Sequence, residues 1–489
     1  MSTPKWVKDA IFYQIFPDRF AKSDLNPSGK LPFEEWDATP THHGFKGGDL
    51  YGVIEKLDYL QELGINAIYL NPIFASASNH RYHTYDYYNV DPLLGGNEAF
   101  KKLLKEAHKR DIRIVLDGVF NHASRGFWQF NHVLETGVSS PYRDWFYFDG
   151  DRLYGRKHWG AYPTPEEEKA LQNEDSLTAI GYRGWWNLPA LPKFNTDIPA
   201  VREYLFEVGE YWIKMGIDGW RLDVPGEIDD DEFWREFRRR VRAINPEAYI
   251  VGEIWHEAQR WLQGDQFDAV MNYLVTSASL SFFAADHLHM STITQAGGLK
   301  DRVRPVQAHD FANEVDRILN LYPADITYAQ LNLLDSHDMP RFLTCASGDK
   351  DSLKLAWLFM FTIPGAPCIY YGDEIGLDGG HDPECRKAFP WEKSRWDKSL
   401  LEYVKALIKL RTDHASLRKG TYKRLFSEGP VLAYARSHKN EDTIIAFNVS
   451  EADRTIELGF HHKPRVLFGE PKISGNQITI PPRSGVIIK

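Results

Sequence analysis

Four short stretches, DGVFNH, GWRLDVPGE, GEIWHEA and LLDSHDMPR, each bring a carboxylate to the end of an apolar run: Asp117, Asp223, Glu253 and Asp338. Grouped carboxylates can supply both a nucleophile and a proton donor, the pair that opening a sugar acetal requires. Arg221 and Asp223 stand two apart, so on a strand they share a face and one acid gains a fixed cation. His337 directly precedes Asp338. Any one such acid is more often a helix cap or a loop residue. Four in series point instead to strand ends that converge on one pocket.

Converging strand ends require parallel strands. Apolar, β-rich runs at 11–16, 65–70, 112–117, 217–223, 249–253, 268–272, 330–335 and 366–371 alternate with helical patterns, and Leu400, Leu401, Val404, Leu407 and Ile408 recur at helical spacing. This order predicts an α/β fold, a (β/α)8 TIM barrel whose site lies at the C-terminal ends of its strands. The stretch after the third strand, 121–186, is too long for an ordinary connection and is rich in aromatics, Gly and Pro. Past 411 the pattern changes to short strands at 431–436, 443–448, 455–458, 465–468, 477–480 and 486–488, the signature of an antiparallel β-sandwich. The expected division is therefore 1–120 with 187–411 for the barrel, 121–186 for the insertion and 412–489 for the sandwich.

Composition narrows the partners. With 58 basic and 68 acidic residues the formal charge is −10, which disfavours nucleic acid and anionic membranes and suits a neutral ligand. The most apolar stretch, 356–371, is broken by Pro364, Gly365 and Pro367 and reads as helix end, turn and core strand rather than a membrane span. Three cysteines in 489 residues suit reduced thiols, and MSTPKWVKDAIF has no stretch of signal-peptide length, so a cytoplasmic location is expected.

The four acidic segments, with HTYDYYNVDP, LPKFN and PGAPCIYYGDE, resemble the signature regions of the α-amylase family, glycoside hydrolase family 13, from about Ile11 onward. The resemblance implies that 121–186 is an inserted domain forming one wall of the cleft, with Phe127, Trp128, Trp185 and Trp186 as candidate sugar platforms. It also implies roles. Asp223 would be the nucleophile, Glu253 the general acid and base, and Asp338 the residue that holds sugar hydroxyls and favours a distorted ring. His83, His122 and His337 would bind that sugar, Tyr85 would stack beneath it, and Arg221 would keep Asp223 ionised. Lys193 would reach the next sugar on the leaving-group side, Asp382 and Arg386 would bind sugars on the non-reducing side, and Trp255 would help to raise the Glu253 pKa. Asp117 and Asn121 would be structural within the site. No metal or other cofactor is expected. Asn121 matches a position that binds calcium in many relatives, but the close subfamily's metal loop, rich in Asn, Asp and Gly after PDRF, is here AKSDLNPSG and does not match.

Within the family, GEIWHEA, LLDSHD and YHTYDYYNVDP are most similar to the neopullulanase, cyclomaltodextrinase and maltogenic amylase group, whose N-terminal β-domain is expected to be absent because the first strand begins almost at once. A homodimer would then need other surfaces. Where relatives carry Ala-Asn between Val and Glu after the nucleophile, this chain has Pro225 and Gly226, and Val224 resembles members that cut α-1,6 bonds. The expected activity is a retaining hydrolase of α-1,4 and α-1,6 glucosidic bonds in maltooligosaccharides, cyclodextrins, pullulan or branched glucans. An α-glucan transglycosylase using the same residues is the near alternative, and a non-catalytic sugar-binding barrel the remote one.

Overall fold

The computed structural model describes residues 3–150, 162–459 and 464–489. Eight parallel strands form its centre: β1 (Phe12–Ile15), β2 (Ala67–Leu70), β3 (Arg113–Gly118), β4 (Gly219–Leu222), β5 (Tyr249–Gly252), β6 (Ala269–Val270), β7 (Leu331–Leu333) and β8 (Ala366–Tyr370). Nearly every residue in them is buried, as expected of strands covered on both faces, and this is why they read as continuous apolar runs rather than alternating ones. They pair in the order β6-β5-β4-β3-β2-β1-β8-β7. A parallel bridge between Met271 and Leu331, with the Asn272 N–H donating to the Leu331 carbonyl at 2.8 Å, joins the two outer strands. The sheet is thereby closed into a barrel.

Helices line the outside: α1 (Gly96–His108), α2 (Pro199–Met215), α3 (Asp231–Ile244), α4 (Tyr273–Phe283), α5 (Ala308–Leu319), α6 (Lys350–Thr362) and α7 (Lys398–Asp413). Local signals fix their ends. Pro199 opens α2 with its preset φ, and Gly216 closes it at φ 114°, a left-handed value that costs glycine little. Asp230 caps α3 by accepting from the Glu232 and Phe233 N–H groups, and Asp397 caps α7 through the Leu400 N–H. The apolar stripe of α7, Leu400, Leu401, Val404, Leu407 and Ile408, is wholly buried.

Between β3 and α2 the chain forms helices Trp128–Thr136, Pro165–Asn173 and Ser176–Ile180. This segment has its own aromatic core, in which Phe130 packs on Phe146, Phe148 and Tyr182. Isolated bridges tie it back to the return of the chain at Pro192–Phe194.

The C-terminal part is a sandwich. A five-stranded sheet contains Thr421–Glu428, Val431–His438, Glu441–Asn448, Ser484–Ile488 and Val466–Phe468, and a three-stranded sheet contains Arg454–Glu457, Gln477–Ile480 and Lys472–Ser474. Val431, Ala433, Ala446, Ile456, Ile478, Ile480 and Val486 fill the space between them. Two of these strands go beyond the six expected from the sequence. Thr421–Glu428 is an edge strand whose residues alternate between half-buried and exposed, and Lys472–Ser474 is short and mostly exposed, so neither carries an apolar run.

Candidate active site

All four acids arrive at the C-terminal end of the barrel. Asp117 lies within β3, Asp223 one residue past β4, Glu253 directly after β5 and Asp338 a short turn beyond β7. Arg221 on β4 is fully buried and gathers three of them. Its Nη1 donates to Asp117 Oδ1 and Oδ2 at 2.8 and 2.9 Å and to Asp223 Oδ1 at 3.1 Å, while its Nη2 lies 2.9 Å from Glu253 Oε1. Asp223 Oδ2 is buried and has no hydrogen-bond partner in the protein.

A second network holds Asp338. His337 Nε2 is 2.9 Å from Asp338 Oδ2, Arg386 Nη2 is 3.2 Å from Oδ1, and Arg386 also pairs with Asp382 at 3.0 Å. Tyr82 joins the two networks: its hydroxyl meets Asp117 Oδ2 at 2.8 Å and His337 Nε2 at 2.7 Å, and its ring stacks on His337. Gln14 on β1 fixes the other imidazole nitrogen at 2.8 Å, and Tyr69 donates to Asp117 at 2.7 Å. The sequence reading passed over Tyr82, Gln14 and Tyr69. A signal existed in each case, since Gln14 and Tyr69 interrupt apolar strands and Tyr82 immediately precedes the chosen His83.

Burial raises the Glu253 pKa above the usual carboxylate value, Arg221 opposes this, and Asp338 adds to it. Burial also pushes Asp223 up against the opposing pull of Arg221. Asp338 goes the other way, because its buried carboxyl is stabilised as an anion by His337, Arg386 and Arg221. Asp223 and Glu253 share the Arg221 guanidinium and both are raised, so burial favours a proton held on this pair. Burial lowers His83 to about 4 and His122 to about 3, so both imidazoles are neutral hydrogen-bonding groups at ordinary pH.

The remaining expected residues lie around this centre. Tyr85 is 39% exposed and its ring covers Gly126, where a Cβ would fall 2.2 Å from it. His83 faces Tyr162, whose hydroxyl is 3.1 Å from Nδ1. Lys193 donates to the Glu227 carbonyl at 2.8 Å. Trp255 lies flat on Tyr273, with ring centroids 3.8 Å apart. The four aromatics considered as sugar platforms separate. Phe127 is 1% exposed and packs among Tyr87, Phe146, Phe194 and Tyr204, so it is core. Trp128 is 59% exposed against His132 and Tyr142, while Trp185 and Trp186 stack outward from His122.

Asn121 Oδ1 is buried without a partner, but among the described residues no group of three or more His, Cys, Asp or Glu is arranged to hold a metal ion. In the loop after PDRF, Asn26 accepts from the Ser28 N–H and donates to the Leu93 carbonyl, and Ser23 donates to Glu55. Calcium takes six to eight oxygen ligands, of which Asn121 Oδ1 would supply one.

Residues 14–419 match the family described as alpha amylase, catalytic domain. The chain belongs to the α-amylase family. Among its relatives a Bacillus sp. cyclomaltodextrinase is 45% identical over 94% of this chain and 76% of that protein. Neopullulanase 2 of Thermoactinomyces vulgaris is 42% identical over 94% and 72%. The crystal structure of a debranching enzyme from Nostoc punctiforme superposes with a TM-score of 0.88 at 46% identity, covering 100% of this chain and 99% of that one. Membership together with these hydrolase relatives over most of its length makes the chain a glycoside hydrolase acting on α-glucans. Among the described residues no helix is long and apolar enough to cross a membrane.

Proposed function

We propose that this α-amylase-family hydrolase cleaves α-1,4 and α-1,6 glucosidic bonds in maltooligosaccharides, cyclodextrins, pullulan or branched glucans, with retention of configuration. The observation that carries this reading is the arrangement of Asp223 and Glu253 on one guanidinium, with Asp338 beside them. Asp223 Oδ2, free of hydrogen bonds, attacks the anomeric carbon while Glu253 gives its proton to the departing glycosidic oxygen. Glu253, now a carboxylate, takes a proton from water, which opens the covalent intermediate and leaves an α-configured product. Arg221 stabilises the Asp223 carboxylate before attack and again as the intermediate opens and the carboxylate is released, and Asp117 keeps Arg221 in place. Asp338 and the neutral His122 bind the sugar hydroxyls, strengthening as the ring flattens, and Tyr85 supports its lower face. Arg386 and Asp382 extend the site toward the non-reducing end, and Lys193 toward the leaving group.

The names of the relatives support the substrate class, and the Nostoc enzyme's name supports action at branch points. A cytoplasmic setting is supported by Cys345, Cys368 and Cys385, which are all buried and free. The test is wild type and Asp223→Asn incubated separately with linear maltooligosaccharides, pullulan and a branched maltooligosaccharide, with the products separated. Wild type releases linear chains from the branched substrate and cuts α-1,4 bonds, and Asp223→Asn does neither. Cleavage of α-1,4 bonds alone removes the debranching half of the proposal, and wild type inert on all three removes the whole.

A further inference from the structure

The inserted segment holds one large aromatic side chain outward in a strained turn, and the catalytic scheme makes no use of it. Trp186 has φ 53° and ψ 25°, and Asn187 follows at φ 59°. Two consecutive left-handed residues, neither of them glycine, place Cβ against the following carbonyl and persist only where the surroundings enforce them. Here they do. The Ser176 N–H donates to Asn187 Oδ1 at 3.1 Å, the Asn187 N–H donates to the Gly184 carbonyl at 3.1 Å, and the Gly184 N–H donates to Ser176 Oγ at 2.8 Å. Gly184 itself is packed so closely that a Cβ would fall 2.2 Å from the Leu188 carbonyl oxygen.

The turn yields a ladder of rings that climbs out of the active site. His122, whose Nε2 lies 3.2 Å from the Tyr82 carbonyl, carries Trp185 at 5.0 Å and 5°, and Trp185 carries Trp186 at 4.4 Å and 14°. Trp186 is left 76% exposed, with its inner face covered and its outer face free. Beside it is a cavity of about 420 Å³ lined by Trp185, Trp186, Arg183, Asn187, Lys193 and Glu227. A flat indole rimmed by hydrogen-bonding groups matches a pyranose, which has C–H groups on its faces and hydroxyls around its edge.

The side of the cleft follows from the chemistry. A general acid must stand beside the leaving oxygen, and Glu253 Oε2 accepts from the Val224 N–H at 3.1 Å. From Val224 the chain runs through Pro225 and Gly226 to Glu227, which lines the cavity, whereas Asp338, Arg386 and Asp382 are paired with one another and do not line it. We propose that Trp186 is the stacking platform for a sugar of the leaving-group chain, with Arg183, Asn187 and Glu227 meeting its hydroxyls. The inference rests on the glucan hydrolase reading and names the site that holds the released portion of the glucan.

The experiment compares maltohexaose with α-maltosyl fluoride, whose leaving group carries no sugar, in wild type, Trp186→Ala and Trp186→Tyr. For Trp186→Ala the ratio of kcat/KM on maltohexaose to that on the fluoride falls about tenfold, through KM, and Trp186→Tyr recovers most of it. An unchanged ratio, or a tyrosine variant as low as the alanine one, overturns the platform. Calorimetric binding of maltohexaose to Asp223→Asn, with and without Trp186→Ala, separates the two readings. Affinity that depends on Trp186 while wild type hydrolyses neither substrate would keep the platform and discard the hydrolase. Affinity and ratio both independent of Trp186 would discard the platform alone.

Discussion

Arg221 holds one positive charge among Asp117, Asp223 and Glu253, and this stoichiometry decides which acid does what. Glu253 is raised by burial, so it stays protonated beyond the usual carboxylate range and activity falls as pH rises through its pKa. Fluoride leaves without a proton donor. Glu253→Gln therefore loses on the order of 10²- to 10⁴-fold on maltotriose, keeps far more of the glycosylation step on α-maltosyl fluoride, and loses the alkaline limb of the pH profile that wild type shows on maltotriose. Equal losses on both substrates would remove Glu253 from the acid role. Next to the nucleophile, Val224 sits at φ 35°, an outlier for a β-branched residue, and this conformation aims its N–H at Glu253. Its identity was visible in the sequence but its conformation was not, because nothing in the string VPGE specifies a left-handed valine. The same limit hid Tyr82 and Gln14. Acids at strand ends are conspicuous, whereas the groups that orient them are ordinary core residues until the barrel closes around them.

At the scale of elements, the eight strands were legible because burial on both faces leaves unbroken apolar runs. The sandwich's edge strand was not, since half its residues meet solvent. A less visible device joins the two parts. The carbonyls at the C-terminal end of α6 are received by two fully buried guanidiniums. Arg411 donates to Phe361 O at 2.8 Å, Ile363 O at 3.3 Å and Leu417 O at 3.0 Å and also reaches Gly365 O, and Arg436 reaches Thr362 O and Gly420 O. No carboxylate among these partners answers either charge. The helix's negative end and its unpaired carbonyls do so instead, and α7 and the first hairpin of the sandwich are thereby pinned to the barrel. Arg411→Met keeps the volume but orphans several buried carbonyls at about 1 to 3 kcal/mol each, so it lowers unfolding stability by about 3 kcal/mol or more. Urea unfolding measures this, and a loss below about 1 kcal/mol would show that water or rearranged backbone replaces the guanidinium.

Across the whole molecule, the pH dependence of stability is set by two opposed populations of acids. Glu236 and Glu441, each lowered to about 2, together with Asp218 and Asp338, contribute stability that is present above the unfolded carboxylate pKa and lost as pH falls through their folded values. Asp335, Asp373 and Glu374, raised by burial, behave oppositely: their contribution is complete below the unfolded pKa and is lost as pH rises through the folded one. The protein is therefore most stable at mildly acidic pH. Asp335 and Asp373 supply a specific handle, because each raises or depends on the other's protonation within one buried cluster. Asp373 accepts from Arg341 Nη1 at 2.6 Å and Asp335 accepts from the Phe342 N–H at 2.6 Å, leaving one cation for two carboxyls. Asn at 335 keeps the acceptor for Phe342, offers Asp373 a permanent donor and abolishes the need to hold a proton. Asp335→Asn should therefore gain stability over wild type as pH rises above the unfolded carboxylate pKa, with the difference shrinking as pH falls below about 4 and the unfolded carboxyls become protonated too. Urea midpoints measured on both sides of that pKa decide it. Parallel curves would mean that the cluster sheds its proton without strain, leaving the active-site acids and Glu374 to account for any alkaline loss.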